Sequence, residues 1–306
     1  MSNFFTYKDD TEGKVSIGKL PDEFRTTLDK IAKEYYELVP DKNASTHHMW
    51  YNDIPPSIKQ NIETIQKSDF WNKLCDGTDK CIKINAYEMD ELYYSNPQNN
   101  LDKINLYGAK GNYDIHRDCF FRFNGIKFYR VIIGLTDGND NIITYFTNLD
   151  VGHKINKGDY IVFDFDKSTH QVIKEKQTLT PRIMLKIHYI VCENCEYSRD
   201  YVEFIKQLYL WYEYSTRWIM KTGTDPKTFF QFFWGLGTHY LYTPYVEYIL
   251  PFVILCVVVM LKVLCKVKMV FKNWFKILSY TILALTCIYL TIVFFYWARF
   301  QLFGIR

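Results

Sequence analysis

The sequence lacks several features that mark common classes of protein. It has no Gly-rich phosphate-binding loop and no alternation of strands with helices, which argues against a nucleotide-binding α/β fold. It also has no internal repeat and no low-complexity tract. The N-terminus, MSNFFTYKDDTEGK, contains no apolar run with a cleavage site, so no secretory signal is predicted. The formal net charge of +3 is too small to indicate nucleic acid as a partner.

The cysteines do not follow the pattern of a disulfide-rich scaffold. There are eight, irregularly spaced, and three of them (Cys256, Cys265 and Cys287) lie in the apolar C-terminal region. Cys192 and Cys195 have the CxxC spacing of a zinc half-site or a redox pair. No second CxxC accompanies them, so an incidental pair or a local disulfide is the favoured interpretation. The cysteines therefore do not fix the redox compartment.

The last sixty residues are the most apolar part of the chain. Tyr245–Leu264 has about the twenty residues that a bilayer requires, and Phe275–Trp297 is a second such stretch. Buried helices of this length normally keep a polar face, so we predict a transmembrane helical hairpin within residues 245–306. Residues 196–244 are predicted to be a helical and aromatic connector at the membrane interface. The lipid bilayer is accordingly a predicted partner, and the chain is predicted to be a multi-pass membrane protein.

The side of the membrane that the rest of the chain faces is harder to predict. The connection between the two spans carries five lysines (Lys262, Lys266, Lys268, Lys272 and Lys276), which is typical of a cytosolic loop. That orientation would place residues 1–244 across the membrane, where the sequon Asn43-Ala44-Ser45 would matter. The missing export signal argues the other way, and we lean slightly towards a cytosol-facing domain.

Residues 1–80 are predicted to form a helical region that packs on the core. Apolar residues recur at helical spacing over Pro21–Val39 and again after Pro55-Pro56. The first twenty residues are polar and are predicted to be a loose, irregular segment before the first helix, called the lead-in below. Asp41–Asn52 is predicted to be a polar loop, in which His47 and His48 are interpreted as solvated.

Residues 81–195 have strand character. Alternation begins at Ile82, and short apolar segments follow with turn residues such as Asp137-Gly138-Asn139 between them. The predicted strands include Tyr129–Leu135, Ile142–Thr147, Tyr160–Phe165 and Arg182–Val191. Short strands with turns between them, preceded by helices, favour a β-sandwich or barrel with helices packed outside.

Three residues in this region form a candidate metal site. His116 and Asp118 are two apart, so in a strand their side chains point the same way. A second imidazole, His170, follows an apolar strand downstream. Two histidines and one carboxylate form the facial triad of non-haem iron(II) oxygenases. A catalytic zinc with these three ligands is an alternative, and His153 and His188 are second-choice ligands.

Arg182 opens the next apolar strand, and its guanidinium is suited to anchor the far carboxylate of a dicarboxylate. Strict alternation groups it with Met184, Lys186 and His188, opposite the apolar row Ile183, Leu185, Ile187 and Tyr189. If the apolar row faces the barrel interior, Arg182 needs a β-bulge to reach it.

The order His-x-Asp, distal His and Arg resembles the Fe(II)/2-oxoglutarate dioxygenase superfamily. Gly158–Val172 is similar to the Gly-x-x-x-x-Phe-Asp-x-x-x-x-His-x-Val element of its aspartyl/asparaginyl β-hydroxylase-like family, apart from one or two residues of slippage. Arg130 resembles an Arg that this family has in the strand after the first His. The resemblance covers roughly residues 105–192. In having the carboxylate Asp118 as a candidate ligand, the chain looks more like the general superfamily than like the best-known animal members of this family, which lack that ligand.

The resemblance implies a fold, a cofactor set and a function. The fold would be mainly β with flanking α: a double-stranded β-helix of the jelly-roll or cupin type over residues 81–195. His116, Asp118 and His170 would hold Fe(II), Arg182 would anchor 2-oxoglutarate, and Arg130 would be a second cosubstrate or substrate contact. Dioxygen would be the oxidant, with ascorbate as a candidate auxiliary reductant.

We therefore predict a membrane-anchored dioxygenase that hydroxylates a protein Asp or Asn side chain or a lipid acyl chain. Two alternatives remain open at this point. One is a catalytically inactive, membrane-tethered binding or scaffold protein. The other is a Zn-dependent hydrolase that uses the same triad.

Overall fold

The computed structural model describes residues 4–9, 13–43, 46–75, 80–96, 117–119, 122–174 and 180–224, together with residues 228 and 278. The chain divides into two compact units, residues 1–213 and 214–306. Of the second unit, only residues 214–224, 228 and 278 are described.

The described residues form eleven strands and three α-helices. The strands are β1 (Tyr7–Asp9), β2 (Gly13–Lys19), β3 (Thr46–Trp50), β4 (Ile82–Asn85), β5 (Glu91–Ser95), β6 (Ile126–Gly134), β7 (Ile142–Phe146), β8 (Val151–Lys154), β9 (Asp159–Asp164), β10 (His170–Lys174) and β11 (Arg182–Cys192). The α-helices are α1 (Arg25–Leu38), α2 (Pro56–Gln66) and α3 (Arg199–Thr224). Short 3-10 helices lie at Asp22–Phe24, Tyr51–Asp53, Asp69–Cys75 and Tyr87–Met89.

Two antiparallel sheets form the body of the first unit. The large sheet has the order β1-β2-β9-β6-β11-β5-β3, with β4 also paired to β11, and the small sheet has the order β10-β7-β8. The prediction of a mainly β fold with flanking helices is confirmed, and the two antiparallel sheets are consistent with a jelly roll.

The N-terminal region contributes more strand than the sequence predicts. The predicted loose lead-in instead forms β1 and β2, and β2 pairs with β9. The predicted loop Asp41–Asn52 contains β3, which pairs with β5. Both strands are held by partners that are distant in sequence, and such pairing is not visible in a local pattern.

One face of the large sheet packs against α1 and α2. The apolar stripes of these helices, which include Leu28, Ile31, Ile58 and Ile62, share one core cluster with Ile183, Leu185, Ile187 and Tyr189 of β11. Amphipathic helices bury their apolar stripe against a sheet in this way. The apolar row of β11 therefore faces the helices, outside the space between the two sheets.

The opposite face of the large sheet packs against the small sheet. Phe146 of β7 shares a core cluster with Ile132, Phe163 and Met184 of the large sheet. The rings of Phe146 and Phe163 lie 5.2 Å apart. This face, with the space it shares with the small sheet, is called the interior below.

The first part of α3 covers a neighbouring section of the interior face. Val202, Ile205 and Tyr209 pack in one cluster with Phe128 of β6 and Ile190 of β11. On β6 and β11, the polar residues Arg130 and His188 lie between the positions covered by α3 and those covered by the small sheet. This junction is where the candidate site forms.

Two disulfide bonds lie in the described residues, Cys75–Cys81 and Cys192–Cys195. The second is the local disulfide that was one interpretation of the CxxC. The remaining described cysteine, Cys119, is buried and is not part of a disulfide bond.

The predicted spans Tyr245–Leu264 and Phe275–Trp297 lie outside the described residues, apart from Leu278. Within the part of the chain that is described, no helix is both long and apolar enough to cross a membrane. The helix α3 (Arg199–Thr224) lies within the predicted connector, residues 196–244, and residues 229–244 of that connector are outside the described residues.

Candidate metal centre

His170 is the first residue of β10 and lies in the interior. Its ring packs beside the rings of Phe146 and Phe163, at centroid distances of 5.8 and 4.9 Å. Its Nδ1 lies 3.2 Å from the carbonyl oxygen of Ser168. A carbonyl oxygen only accepts, so Nδ1 carries the proton in this hydrogen bond, and in the neutral ring Nε2 presents a lone pair. That is the tautomer in which a histidine binds a metal through Nε2.

Asp118 lies on the side of His170 where that lone pair points. Its Oδ2 is 3.7 Å from His170 Nε2, and both side chains are largely buried. Two donors about 2.1 Å from one ion, at right angles, are about 3 Å apart. The two atoms would therefore have to approach each other by less than about 1 Å to bind one cation. The sequence placed them 52 positions apart, and the fold brings them together.

The third predicted ligand, His116, lies outside the described residues. Among the residues that are described, no group of three His, Cys, Asp or Glu side chains is arranged to hold a metal ion. Two of the three predicted ligands, Asp118 and His170, thus lie close together, and His116 is two residues from Asp118 along the chain.

Arg130 is buried directly behind Asp118. Its Nη1 lies 2.7 Å from Asp118 Oδ2, and its Nη2 lies 3.2 Å from Glu213 Oε1. Burial acts to lower the pKa of Arg130, but the surrounding carboxylates outweigh burial and raise it above the ordinary value. The guanidinium is therefore charged and faces the Asp118 carboxylate.

Arg182 also lies on the interior face of the large sheet. It shares that face with Met184, which packs with Phe146 and Phe163, and its side chain is only 3 % exposed. The β-bulge considered for Arg182 is not required, because the apolar row of β11 packs on the helices. Opposite Arg182 on β5 is Ser95, a buried hydroxyl group.

The second-choice metal ligands have other surroundings. His188 is fully buried, with Nε2 accepting from Arg130 Nε at 3.0 Å and Nδ1 3.3 Å from Asp90 Oδ1. His153 lies on β8, and burial is the main cause that lowers its pKa. Neither belongs to a described metal-binding group.

A polar cluster that sequence reasoning missed lies on the same interior face. Lys186 Nζ is 3.2 Å from Glu91 Oε1, and His48 Nδ1 contacts the same oxygen. Lys186 also lies over the ring of Tyr93, 5.2 Å from its centroid. The interpretation of His47 and His48 as a solvated loop pair is wrong, because β3 turns His48 towards Glu91 and His47 towards Tyr35. The signal was present in the alternation of β11, where Lys186 and His188 share the parity of Arg182.

Comparison with known proteins gives similarity at the level of structure only. No family model matches the sequence, and no curated protein matches it. The viral collagen prolyl hydroxylase of Paramecium bursaria Chlorella virus-1, solved with 2-oxoglutarate, is similar at a TM-score of 0.38 and 15 % identity, covering 57 % of this chain and 95 % of that chain.

Two bacterial structures show comparable similarity. A Pseudomonas putida prolyl-4-hydroxylase has a TM-score of 0.34 and 13 % identity, covering 57 % of this chain and 91 % of that one. HygX of Streptomyces hygroscopicus, with nickel, 2-oxoglutarate and hygromycin B bound, has a TM-score of 0.36 and 9 % identity, covering 58 % of this chain and 82 % of that one. Because these TM-scores are below 0.5, what those proteins bind and do stays a property of those proteins.

Proposed function

We propose that this protein is an iron(II)- and 2-oxoglutarate-dependent oxygenase that hydroxylates a C–H bond. The observation that carries the proposal is the buried pair of Asp118 and His170, whose Oδ2 and Nε2 atoms lie 3.7 Å apart in the interior. Such a pair joins a carboxylate to an imidazole in its metal-binding tautomer. With His116 added from the same chain segment, the donor set is the facial triad, which leaves three positions of an octahedral ion for other ligands.

The residues present fit an iron(II) ion better than a closed zinc site. Structural zinc takes four nitrogen or sulfur ligands, whereas this donor set offers two imidazoles and one carboxylate. The immediate surroundings are also negative, because the guanidinium of Arg130 faces the two carboxylates of Asp118 and Glu213. With iron(II), 2-oxoglutarate and dioxygen bound there, the chemistry supplied would be oxidation of a substrate C–H bond.

The chain's own part is to hold the ligands and to exclude water. Phe146 and Phe163 pack against the His170 ring and surround it with apolar groups. A reactive oxidant needs such surroundings, because water in the site would permit side reactions. In this proposal Arg182, buried on the same interior face, binds the far carboxylate of 2-oxoglutarate, with Ser95 opposite it as a neighbouring hydroxyl.

The proposed substrate is a protein Asp or Asn side chain or a lipid acyl chain, reached from a membrane. Support for a membrane surface comes from the sequence of residues 245–306 and from the outer face of α3. That face carries Tyr201, Phe204 and Trp211 at helical spacing, and Trp211 is 70 % exposed. Exposed Trp and Tyr side chains of this kind are characteristic of membrane interfaces.

The test uses the full-length chain, purified in detergent without metal and kept anaerobic. Addition of Fe(II) and then 2-oxoglutarate should give the weak visible charge-transfer band of the chelate. We expect the band in the wild type and in the control His153→Ala, no band in His170→Ala, and a much weaker one in Arg182→Ala at the same 2-oxoglutarate concentration.

A folded wild type without the band would contradict the oxygenase proposal. Retention of Zn on purification, with no response to 2-oxoglutarate, would support the hydrolase alternative instead. No binding of either metal would leave a scaffold or binding protein.

A further inference from the structure

Arg130 is the centre of a buried polar network. Three of its nitrogens each have a partner on a different segment: Nη1 faces Asp118 Oδ2 at 2.7 Å, Nη2 faces Glu213 Oε1 at 3.2 Å, and Nε donates to His188 Nε2 at 3.0 Å. The guanidinium also stacks on Phe165, 4.3 Å from the ring centroid. These contacts restrict the side chain from several directions.

The contact with His188 fixes the tautomer of that histidine. An arginine Nε–H only donates, so His188 Nε2 must accept and the ring proton must be on Nδ1. That proton faces Asp90 Oδ1 at 3.3 Å, and the backbone N–H of His188 donates to the same oxygen at 3.1 Å. Gln66 in turn donates to the carbonyl oxygen of His188 at 3.0 Å. The His188 ring therefore accepts from Arg130 at Nε2 while its Nδ1 faces Asp90, so both ring nitrogens have a partner.

The helix α3 contacts Arg130 and Asp118 from the other side. Glu213 pairs with Arg130, and the neighbouring Tyr212 donates its hydroxyl proton to the backbone carbonyl of Asp118 at 3.3 Å. Asp118 is thus held at its carboxylate through Arg130 and at its backbone through Tyr212. The guanidinium and the two carboxylates together carry one negative charge, which favours a cation beside Asp118.

We propose that Arg130 is a positioning residue that holds the Asp118 carboxylate towards His170, with Glu213 and the His188–Asp90 pair as its supports. This differs from the role of cosubstrate or substrate contact that the resemblance implies for Arg130. The proposal rests on the proposed function, because it takes Asp118 and His170 as metal ligands. Groups that orient metal ligands from behind change metal affinity by about 10–100-fold when they are mutated.

The experiment measures metal binding by the full-length chain, without turnover. Co(II) is the probe, because its visible spectrum reports affinity and coordination geometry, and 2-oxoglutarate is added afterwards. The variants are Arg130→Lys, which keeps the charge but loses the planar fork, and Glu213→Gln, which keeps the shape of the side chain. The matched control is Glu193→Gln, which removes a largely buried carboxylate that binds Lys14 and Lys127. Thermal unfolding without metal is recorded for each protein.

We expect Arg130→Lys to weaken Co(II) binding about 10–100-fold and to change the visible spectrum, while 2-oxoglutarate still perturbs the spectrum at saturating Co(II). Glu213→Gln should act in the same direction with a smaller loss. Glu193→Gln should bind Co(II) like the wild type even where it lowers the unfolding temperature. If Arg130→Lys fails to fold, Glu213→Gln still carries the test, because it is nearly isosteric.

Three results would overturn the proposal. Unchanged Co(II) binding with a lost response to 2-oxoglutarate would make Arg130 a cosubstrate contact. Unchanged Co(II) binding and an unchanged response in both variants would leave Arg130 a purely structural residue. A wild type whose Co(II) spectrum does not depend on His170 would overturn the proposed function and this proposal together, and it would be recognised in His170→Ala before any other variant is compared.

Discussion

Asp164 is a buried carboxyl group that should make stability depend on pH. Its side chain is 2 % exposed, and burial, followed by the nearby charge of Asp166, raises its pKa to about 6. An unfolded Asp ionises near pH 3.9, so between about pH 4 and 6 the folded state binds more protons than the unfolded state. The free energy of unfolding should therefore fall as pH rises through this window, by at most about 3 kcal/mol from this group.

Asp164→Asn should remove this part of the pH dependence. The amide oxygen can still accept from the backbone N–H of Lys14, which lies 2.6 Å from Asp164 Oδ2. Denaturant unfolding at pH 4, 5, 6 and 7 should give a flatter profile for the variant, with its largest relative gain at pH 7. Asp53→Asn, at an exposed position, is the control. Parallel profiles for Asp164→Asn and the wild type would show that the carboxyl group ionises as freely in the folded state as in the unfolded one.

At the same scale, the sequence identified candidate ligands but not the residues that orient them. His116, Asp118 and His170 could be chosen because their types and order match a known chemistry. Glu213 could not, because it approaches Arg130 across 83 positions of sequence and sits in a helix with no motif. A supporting residue is defined by its position in the fold, and its type alone carries little information.

At the scale of elements, the end of β6 lies close to the backbone at Asn156 through Gly134. A Cβ built on this residue would lie 2.1 Å from the backbone oxygen of Asn156, so the chain at that point would have to move. Gly134→Ala should therefore destabilise the protein by about 1–3 kcal/mol through overpacking. Thermal or denaturant unfolding measures the effect.

Gly158 provides a contrasting control nearby. Its φ is +81°, and a Cβ there would meet no atom within 4 Å, so Gly158→Ala is unfavourable through backbone conformation alone, by about 1–2 kcal/mol. Asn tolerates this conformation better than Ala. We expect Gly158→Asn to lower the free energy of unfolding less than Gly158→Ala does. At Gly134 we expect the reverse, with Asn lowering it more than Ala. If Asn were the milder substitution at both positions, the steric explanation for Gly134 would be contradicted.

The β11 strand explains why part of the fold could not be read from the sequence. Alternation correctly separated the row of Arg182 from the row of Ile183, yet it could not say which row faces the interior. Nearly every residue of β11 is buried, because helices cover one face and the small sheet and α3 cover the other. Because both faces of the strand are buried, its more polar row does not mark the side that faces solvent and so does not orient the strand. The apolar strands β6, β7, β9 and β11 were predicted within a few residues, whereas β1, β2 and β3 depend on distant partners and were missed.

For the whole molecule, the disulfide bonds bear on the compartment in which the first unit lies. Disulfide bonds such as Cys75–Cys81 and Cys192–Cys195 are typical of proteins in oxidising compartments. The lysine-rich connection between the predicted spans indicates the same orientation, because a cytosolic loop there places residues 1–244 on the opposite side. These two arguments outweigh the slight lean towards the cytosol that came from the missing export signal.

We therefore expect residues 1–244 to lie on the luminal side when the full-length chain is made in the presence of ER microsomes. The chain should stay with the membranes in alkaline carbonate. Asn43, at an exposed position in the only N-x-S/T sequon of the sequence, should carry a glycan that Asn43→Gln or Ser45→Ala removes, seen as a mobility shift after endoglycosidase treatment.

The disulfide-bonded cysteines give a second measurement. A thiol-specific mass tag should react only after reduction with Cys75, Cys81, Cys192 and Cys195. An unglycosylated chain in which these four cysteines react without reductant would place the first unit in the cytosol. Release by carbonate would instead contradict the membrane anchor itself, because a transmembrane hairpin cannot be extracted without detergent.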